Sequence, residues 1–236
     1  MRTSMPVLLL GLLVLTGCQH RPIEFQRVHW SGEIKPEHNL EFTNPLGDVH
    51  IRQGSEGFVG VDLVGQCADA EPAVQATEAD VGRLSLVVAG EGCLRVDVSL
   101  FVGPGVQLTV ESDAGHIVAK RLRNPIEAHS QSGDISLTAA GVLSATTGSG
   151  ALRISPMARK WREPMIFRSE TGAIVLGIPP EHVVVTACTS GTIESELPIS
   201  SSKVQAGVTC VTTHSGRGLF SIQASSESGS IGLFRQ

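Results

Sequence analysis

The sequence predicts an all-β protein whose strands stack as a β-solenoid (a parallel β-helix-like repeat fold), with a β-sandwich as the alternative. The first observation is a recurring phrase of one or two small polar residues, a glycine, any residue and an aliphatic residue. The second is hydrophobic alternation with a period of two, which is typical of half-buried strands. The third is composition, because 26 glycines, no tyrosine and 4% aromatic residues among 236 imply a core of valine, isoleucine and leucine.

The recurring phrase is what predicts the repeat. Its clearest copies are residues 132–135, 170–174, 190–193 and 228–231. Turn glycines follow one another at positions 115, 133, 150, 172, 191, 216 and 229, at intervals that cluster near 18 residues. A turn glycine that leads into a strand at such an interval indicates a solenoid in which each coil pairs with the next.

Residues 1–17 are predicted to be a lipoprotein signal peptide. Arg2 gives a positive start, residues 6–14 are almost entirely apolar, and residues 15–18 read Leu-Thr-Gly-Cys. The apolar run is too short to cross a bilayer, which takes about 20 residues. The last four residues resemble a bacterial lipobox, in which the chain is cut before the cysteine and the thiol carries a lipid such as palmitate. We therefore expect Cys18 to be the membrane anchor; an ordinary secretory signal with a chance cysteine is the alternative.

The residues that follow Cys18 predict a cellular location and a domain boundary. Gln19 resembles the residue found in lipoproteins sent to the outer membrane, rather than the aspartate of those that are retained. This predicts a lipid-anchored protein of the bacterial cell envelope, at the outer membrane. Residues 18–39 are predicted to be a tether because they contain prolines and mixed polarity, and residues 40–236 are predicted to be the β-repeat domain.

Strand patterns begin at residue 40 and continue through the domain. Alternation is clearest at residues 49–51, 59–64, 84–88 and 94–100. Residues 71–80 are rich in alanine and glutamate and predict a short helix or a surface loop. Beyond residue 103, two strands that lead to a turn glycine are each preceded by a proline turn.

Four cysteines remain once Cys18 is assigned to the lipid. An even number in an oxidising compartment predicts disulfides, with three connectivities open. We favour Cys67–Cys93 and Cys188–Cys210 because each pair lies in neighbouring strand segments. Free buried thiols are the alternative. The cysteines lack the close spacing of a zinc ribbon or a redox motif, so no metal is predicted.

The polar residues do not predict a catalytic or cofactor site. Asp48, Asp113 and Asp134 lie beside turn glycines and would form a carboxylate ladder, but other repeats carry different residue types at the matching place. The histidines are scattered, and the nucleophile motif of α/β-hydrolases is absent from the sequence. The formal net charge of −5 argues against a nucleic-acid partner. We therefore predict no cofactor and no enzyme activity.

A loop that interrupts the repeat is the predicted partner-binding site. Residues 155–165 are bounded by prolines and contain Arg159, Lys160, Trp161 and Arg162. In a chain so poor in aromatic residues, a tryptophan among cations predicts an anchor for an envelope protein, a glycan or anionic lipid headgroups. The alternative is that Trp161 folds back as a lid over the core.

The phrase Gly47-Asp48-Val49-His50-Ile51, the proline-led strands and the repeated turns resemble the bacterial "putative adhesin" family of β-repeat domains. The likeness covers about residues 40–236 and implies a repetitive β fold at the cell envelope, without catalytic residues that could be transferred. The function predicted is that of a lipid-anchored, non-enzymatic envelope protein acting as an adhesion or interaction scaffold. A carbohydrate-active β-helix enzyme and an envelope-stress or assembly factor remain as alternatives.

Overall fold

The computed structural model describes residues 24–236 apart from positions 69, 81, 158–160 and 181. In this part of the chain all regular structure is strand, and there is no helix long and apolar enough to cross a membrane. The strands, in chain order, are β1 (Glu24–Glu33), β2 (Asn39–Asn44), β3 (Val49–Gln53), β4 (Phe58–Cys67), β5 (Ala73–Asp80), β6 (Arg83–Ala89), β7 (Cys93–Val102), β8 (Gln107–Ser112), β9 (Ile117–Leu122), β10 (Ile126–Ser130), β11 (Ile135–Ala139), β12 (Leu143–Thr147), β13 (Leu152–Pro156), β14 (Met165–Ser169), β15 (Ile174–Ile178), β16 (Val183–Thr189), β17 (Ile193–Ser195), β18 (Ile199–Gln205), β19 (Val208–Ser215), β20 (Phe220–Ser226) and β21 (Ile231–Arg235).

The strands form two large sheets. Sheet 1 has ten strands in the order β1-β4-β7-β3-β9-β11-β13-β15-β21-β17. Sheet 2 has eleven strands in the order β18-β19-β16-β20-β14-β12-β10-β8-β2-β6-β5. From β8 to β15 the chain alternates between the two sheets, and each strand pairs in parallel with the strand two positions further on.

The all-β prediction is confirmed, whereas the closed solenoid is not what forms. Both sheets are mixed, which is consistent with the β-sandwich alternative. Antiparallel pairs occupy the ends, with β1, β4 and β7 together in sheet 1 and β16, β19 and β18 together in sheet 2. The physical reason is that a period of two records only which face of a strand is buried, and parallel and antiparallel strands bury alternate residues equally well.

The buried faces of the two sheets share one hydrophobic core. In the central strands every second residue is buried, as in β11, where Ile135, Leu137 and Ala139 are fully inaccessible. The cluster is aliphatic except for a few rings, of which Phe42 and Phe167 are completely buried. This agrees with the composition, and it makes hydrophobic burial the main stabilising contribution of the repeat.

Two segments differ from their sequence-based expectation. Residues 24–33 of the predicted tether form β1, which pairs along its whole length with β4, and its half-buried Val28 and Trp30 pack against the core. Residues 73–80, expected as a helix or loop, form the edge strand β5, antiparallel to β6. In both cases pairing with a neighbouring strand supplies backbone hydrogen bonds that composition alone does not reveal.

The last repeat is out of sequence order. Strands β20 and β21 lie between β14 and β16 in sheet 2, and between β15 and β17 in sheet 1. Gly216, which the spacing assigned to a coil of its own, instead follows β19 with a φ of 65°. The irregular intervals near the end of the chain therefore mark an insertion and an extra hairpin rather than a longer coil.

Candidate interaction surfaces

The turn phrase contains a buried hydroxyl three residues before its glycine. In five copies the side-chain oxygen accepts a hydrogen bond from the glycine N–H, at 2.8–3.1 Å, in the pairs Ser112–Gly115, Ser130–Gly133, Thr147–Gly150, Ser169–Gly172 and Ser226–Gly229. In the copy at residues 190–193 the hydroxyl is that of Thr189, two residues before Gly191. Several hydroxyls also donate to the glycine carbonyl of the adjacent repeat, as Thr147 does to Gly133 at 3.2 Å. The small polar residue of the phrase therefore provides hydrogen-bond partners for backbone groups at a buried turn.

The glycine itself is required by close contact between neighbouring repeats. A Cβ atom at Gly133 would lie 1.9 Å from the carbonyl oxygen of Gly115, and one at Gly150 would lie 2.1 Å from that of Gly133. Neither glycine has a positive φ. These positions are thus fixed by the approach of one backbone to the next, and the phrase is structural rather than a ligand site.

The carboxylates beside the turn glycines, which we call the turn carboxylates, accept hydrogen bonds within the fold. Asp48 accepts a hydrogen bond from the N–H of His116 at 2.9 Å, and Asp134 accepts one from the N–H of Ala151 at 2.8 Å. Asp113 receives the side-chain amide of Gln131 at 3.0 Å. Each carboxylate thereby ties one repeat to the next. Within the described residues, no three histidine, cysteine, aspartate or glutamate side chains are grouped so that they could hold a metal ion.

One cation joins this ladder at its N-terminal end. Arg95 bonds to Asp97 at 2.7 Å and to Asp48 at 2.6 Å. The hydrogen bond and charge of Asp97, with a smaller contribution from Asp48, raise the pKa of Arg95 above its ordinary value. Arg95 therefore links the first turn of the repeat to the neighbouring strand β7.

Trp161 does not offer its ring to a partner. The side chain is only 7% exposed, its ring centroid lies 4.8 Å from that of Phe220, and its indole N–H donates to the carbonyl of Ser221 at 3.2 Å. The lid alternative describes this arrangement, and the prediction of an exposed aromatic anchor is wrong. The reason is that burial of a large ring against Phe220 lowers the free energy of the fold, while its N–H keeps a hydrogen-bond partner.

The rest of the predicted loop is only partly described. Arg162 is exposed and lines, with Glu163 and Pro164, a shallow groove of about 540 Å³ beside β10 and β12. Arg159, Lys160 and the predicted anchor Cys18 lie outside the described residues. A binding role for Arg159, Lys160 and Arg162 stays a prediction, as does the lipidation of Cys18.

Both favoured disulfides are present. Cys67 is bonded to Cys93, and Cys188 is bonded to Cys210. In each case the two cysteines lie opposite one another on paired antiparallel strands, β4 with β7 and β16 with β19. Each bridge therefore fastens an antiparallel end of its sheet.

We expect removal of the first bridge to lower the free energy of unfolding by about 2–4 kcal/mol, because the cross-link restricts the unfolded chain. The test is urea denaturation of a Cys67→Ala/Cys93→Ala variant beside the wild type, each with and without reductant. The wild type should lose stability on reduction by more than the variant does, since the variant retains only one bridge. Equal midpoints for all four samples would contradict the expectation.

One sheet edge is unusually open. In strand β18 all seven residues are exposed, and we call this segment, Ile199–Gln205, the open edge. Its Ile199 and Val204 are 53% and 71% exposed. The sequence does not indicate this strand, because its run of serines shows no hydrophobic alternation. The available signal was the Ala206-Gly207 pair, which forms a tight turn with φ values of 51° and 80°.

A shallow cleft lies on the outer face of sheet 1. It has a volume of about 680 Å³ and is lined in part by Phe58, Phe101 and Ser31, with Gly60 between them. At its margin His29 Nδ1 lies 2.6 Å from an oxygen of Asp62, and both side chains are exposed. The pairing of β1 with β4 brings these residues together.

Comparison with known proteins gives a fold likeness and little more. No known protein family matches the sequence, and no curated protein matches it. The chain is similar to the crystal structure of a "putative cell adhesion protein" from Clostridium sporogenes, with 11% identity, a TM-score of 0.50, and coverage of 89% of this chain and 100% of that one. At this identity the likeness shows a shared fold alone.

Two further structures are more distant. A "putative adhesin" from Bacteroides fragilis is 11% identical, covers 88% of this chain and 97% of its own, and has a TM-score of 0.37. A "putative lipid binding protein" from Parabacteroides distasonis is 10% identical, covers 89% and 97%, and has a TM-score of 0.30. Scores this low support no structural argument.

Proposed function

We propose that this protein is a lipid-anchored, non-enzymatic protein of the bacterial cell envelope that acts as an adhesion or interaction scaffold. The observation that carries the proposal is the position of Cys18, which lies six residues before the first residue of β1. Six residues span at most about 20 Å. A lipid on Cys18 would therefore hold the whole two-sheet body close to the membrane.

The two disulfides support the envelope location. Structural disulfides persist in oxidising compartments such as the bacterial periplasm and the cell surface. Both bridges join opposed strand positions in the body of the fold rather than a mobile terminus. A protein exported by the predicted signal peptide would form them after export, and we place it at the outer membrane because Gln19 follows the anchor cysteine.

The scaffold role rests on how the fold uses its polar residues. The turn carboxylates Asp48, Asp113 and Asp134 are each hydrogen-bonded to the next repeat and thus serve the fold. The exposed side chains include apolar ones, among them Ile199 and Val204 at the open edge and Phe58 in the outer cleft. A rigid ladder with exposed apolar positions suits the binding of another macromolecule better than chemistry.

The anchoring half is tested by metabolic labelling with radioactive palmitate. We expect label and membrane fractionation for the wild type, and neither for Cys18→Ala, because the variant lacks the acceptor thiol. The Cys67→Ala/Cys93→Ala variant is the matched control and should remain labelled. Label on Cys18→Ala, or an unlabelled wild type, would contradict anchoring at this residue.

A further inference from the structure

The open edge differs from the other sheet edges of the described chain. Sheet edges attract further strands unless they are short, charged or covered. At the opposite end of sheet 2, β5 includes Glu78, and in sheet 1 β17 has three residues and is followed closely by Pro198. The remaining edge, β1, carries the charged residues Glu24, Arg27 and Glu33. The open edge has seven residues, a single charge on Lys203, and a hydrogen-bonded neighbour on one side, β19.

The backbone of the open edge presents hydrogen-bonding groups outward. Ala206 and Gly207, both with positive φ, form a two-residue turn between β18 and β19. In such a hairpin the residue pair beside the turn exchanges two hydrogen bonds, and every second pair along the ladder does the same. By this alternation the N–H and C=O groups of Ser202 and Val204 point away from β19.

The apolar side chains of the open edge face the side on which the core lies. Ile199 is opposite Thr213, which is fully buried, and Val204 is opposite Thr209 on the same face of β19. Both apolar residues remain more than half exposed. The reason is that sheet 1 ends at β17, while sheet 2 continues for two further strands, β19 and β18.

We propose that the open edge pairs with the open edge of a second copy of this chain, antiparallel, about a two-fold axis at Ser202. This register joins outward-facing groups, since the N–H and C=O of Ser202 bond to those of the partner's Ser202. The new ladder is short, because the register of β18 against β19 shifts at Ser200. The proposed register also places Lys203 opposite the partner's Ser201. The positive charge of Lys203, the only charge on the strand, therefore does not lie opposite the partner's Lys203. Sheet 2 then continues from one molecule into the next, and the exposed apolar faces of both edges come together.

The membrane provides the concentration that this pairing needs. One strand pair buries less surface than a stable complex in solution, which takes about 1,200–2,000 Å² in total. Confinement of two copies to one surface raises their effective concentration without a new contact. Here the inference rests on the proposed function, because the confinement comes from the lipid on Cys18, whereas the geometry of the edge does not depend on it.

An amine cross-linker with a short spacer tests the pairing directly. The chain contains four lysines, at positions 35, 120, 160 and 203. In the register centred on Ser202, the two copies of Lys203 lie within about 10 Å, given strands about 4.8 Å apart and about 3.4 Å per residue. A cross-link between two Lys203 residues can form only between two molecules, so peptide mass spectrometry identifies it without ambiguity.

The experiment uses the mature lipoprotein in phosphatidylethanolamine and phosphatidylcholine vesicles. We expect a Lys203–Lys203 cross-link in the wild type. Ser202→Pro should reduce its yield about tenfold or more, because proline removes the outward N–H from both copies while leaving the bonds to β19. Ser202→Thr keeps that N–H and should give the wild-type yield. Circular dichroism confirms that both variants are folded.

A second arm separates failure of pairing from failure of anchoring. Unlipidated Cys18→Ala protein at millimolar concentration should show the same Lys203 cross-link and the same loss in Ser202→Pro, whatever happens on vesicles. A cross-link that persists in Ser202→Pro overturns the proposal. So does a pattern in which Lys35, Lys120 or another protein is cross-linked to Lys203 in its place.

Discussion

Replacement of Gly133 by alanine is expected to lower the free energy of unfolding by more than about 4 kcal/mol, a large share of the stability of a typical domain. The added Cβ would lie 1.9 Å from the carbonyl oxygen of Gly115 and 3.0 Å from the hydroxyl of Ser130. The carbonyl oxygen of Gly115 belongs to the backbone, so neither it nor the added Cβ can rotate away. The two stacked repeats must therefore separate.

The control for this prediction is Gly60→Ala. Gly60 also lies in a paired strand, but the nearest atom to its Cβ would be 3.8 Å away, on Phe101. We expect a change of less than about 0.5 kcal/mol. Urea denaturation followed by circular dichroism measures both variants, and equal stabilities would show that contact between the turns does not determine the requirement for glycine.

Phe167→Ala is expected to lower the free energy of unfolding by about 3–5 kcal/mol. Phe167 is fully buried in the centre of sheet 2. Its neighbours in register on the adjacent strands are Ala145 and Ala224, so the ring fills space that two small residues leave open. Those alanines cannot extend into the cavity, and the loss should approach the upper part of the range.

Phe25→Ala provides the matched comparison, because the ring of Phe25 is 69% exposed on the edge strand β1. Its effect should stay within about 0.5 kcal/mol. Urea denaturation measures both variants. When the slopes of the transitions are equal, the midpoints give the two changes in the free energy of unfolding. A loss below about 1 kcal/mol for Phe167→Ala would mean that the two sheets repack around the missing ring, contrary to the filled core described above.

The turn phrase shows how far sequence reasoning reaches in this protein. It correctly indicated an all-β fold and a glycine that the fold requires. The sequence marks this glycine as a turn residue, whereas the structure requires it because of close contact with the preceding repeat, such as that of Gly133 with Gly115. Distances between segments 18 residues apart are set by tertiary packing, and a local pattern does not contain them.

The disulfides were predictable because they depend on adjacency, which strand patterns do record. The positions of β5, β18 and the last repeat were not. Residues 73–80 have the composition of a helix, but pairing with β6 overrides that propensity. The insertion of β20 and β21 between earlier strands is a matter of topology, and similar strands with the same alternation can be stacked in several orders.

The candidate interaction surfaces likewise depended on tertiary packing that the sequence does not contain. The sequence directed attention to Trp161 because it is rare and lies in an interruption, yet the ring is buried against Phe220. The open edge lacked both hydrophobic alternation and rare residues, and its significance comes from the absence of a strand opposite it in the described part of sheet 1. Whether a residue lies at an interaction surface depends on its neighbours in the folded structure, which the sequence alone does not give.

The central claim is that a lipid on Cys18 holds a rigid two-sheet scaffold whose open edge meets another copy at the membrane. Hydrogen exchange, measured by mass spectrometry on vesicle-bound protein and on unlipidated Cys18→Ala protein at micromolar concentration, tests it most directly. We predict slow exchange at the turn glycines 133, 150 and 172 in both samples, and protection of residues 199–205 in the vesicle-bound protein alone. Equal exchange of residues 199–205 in the two samples would contradict the account.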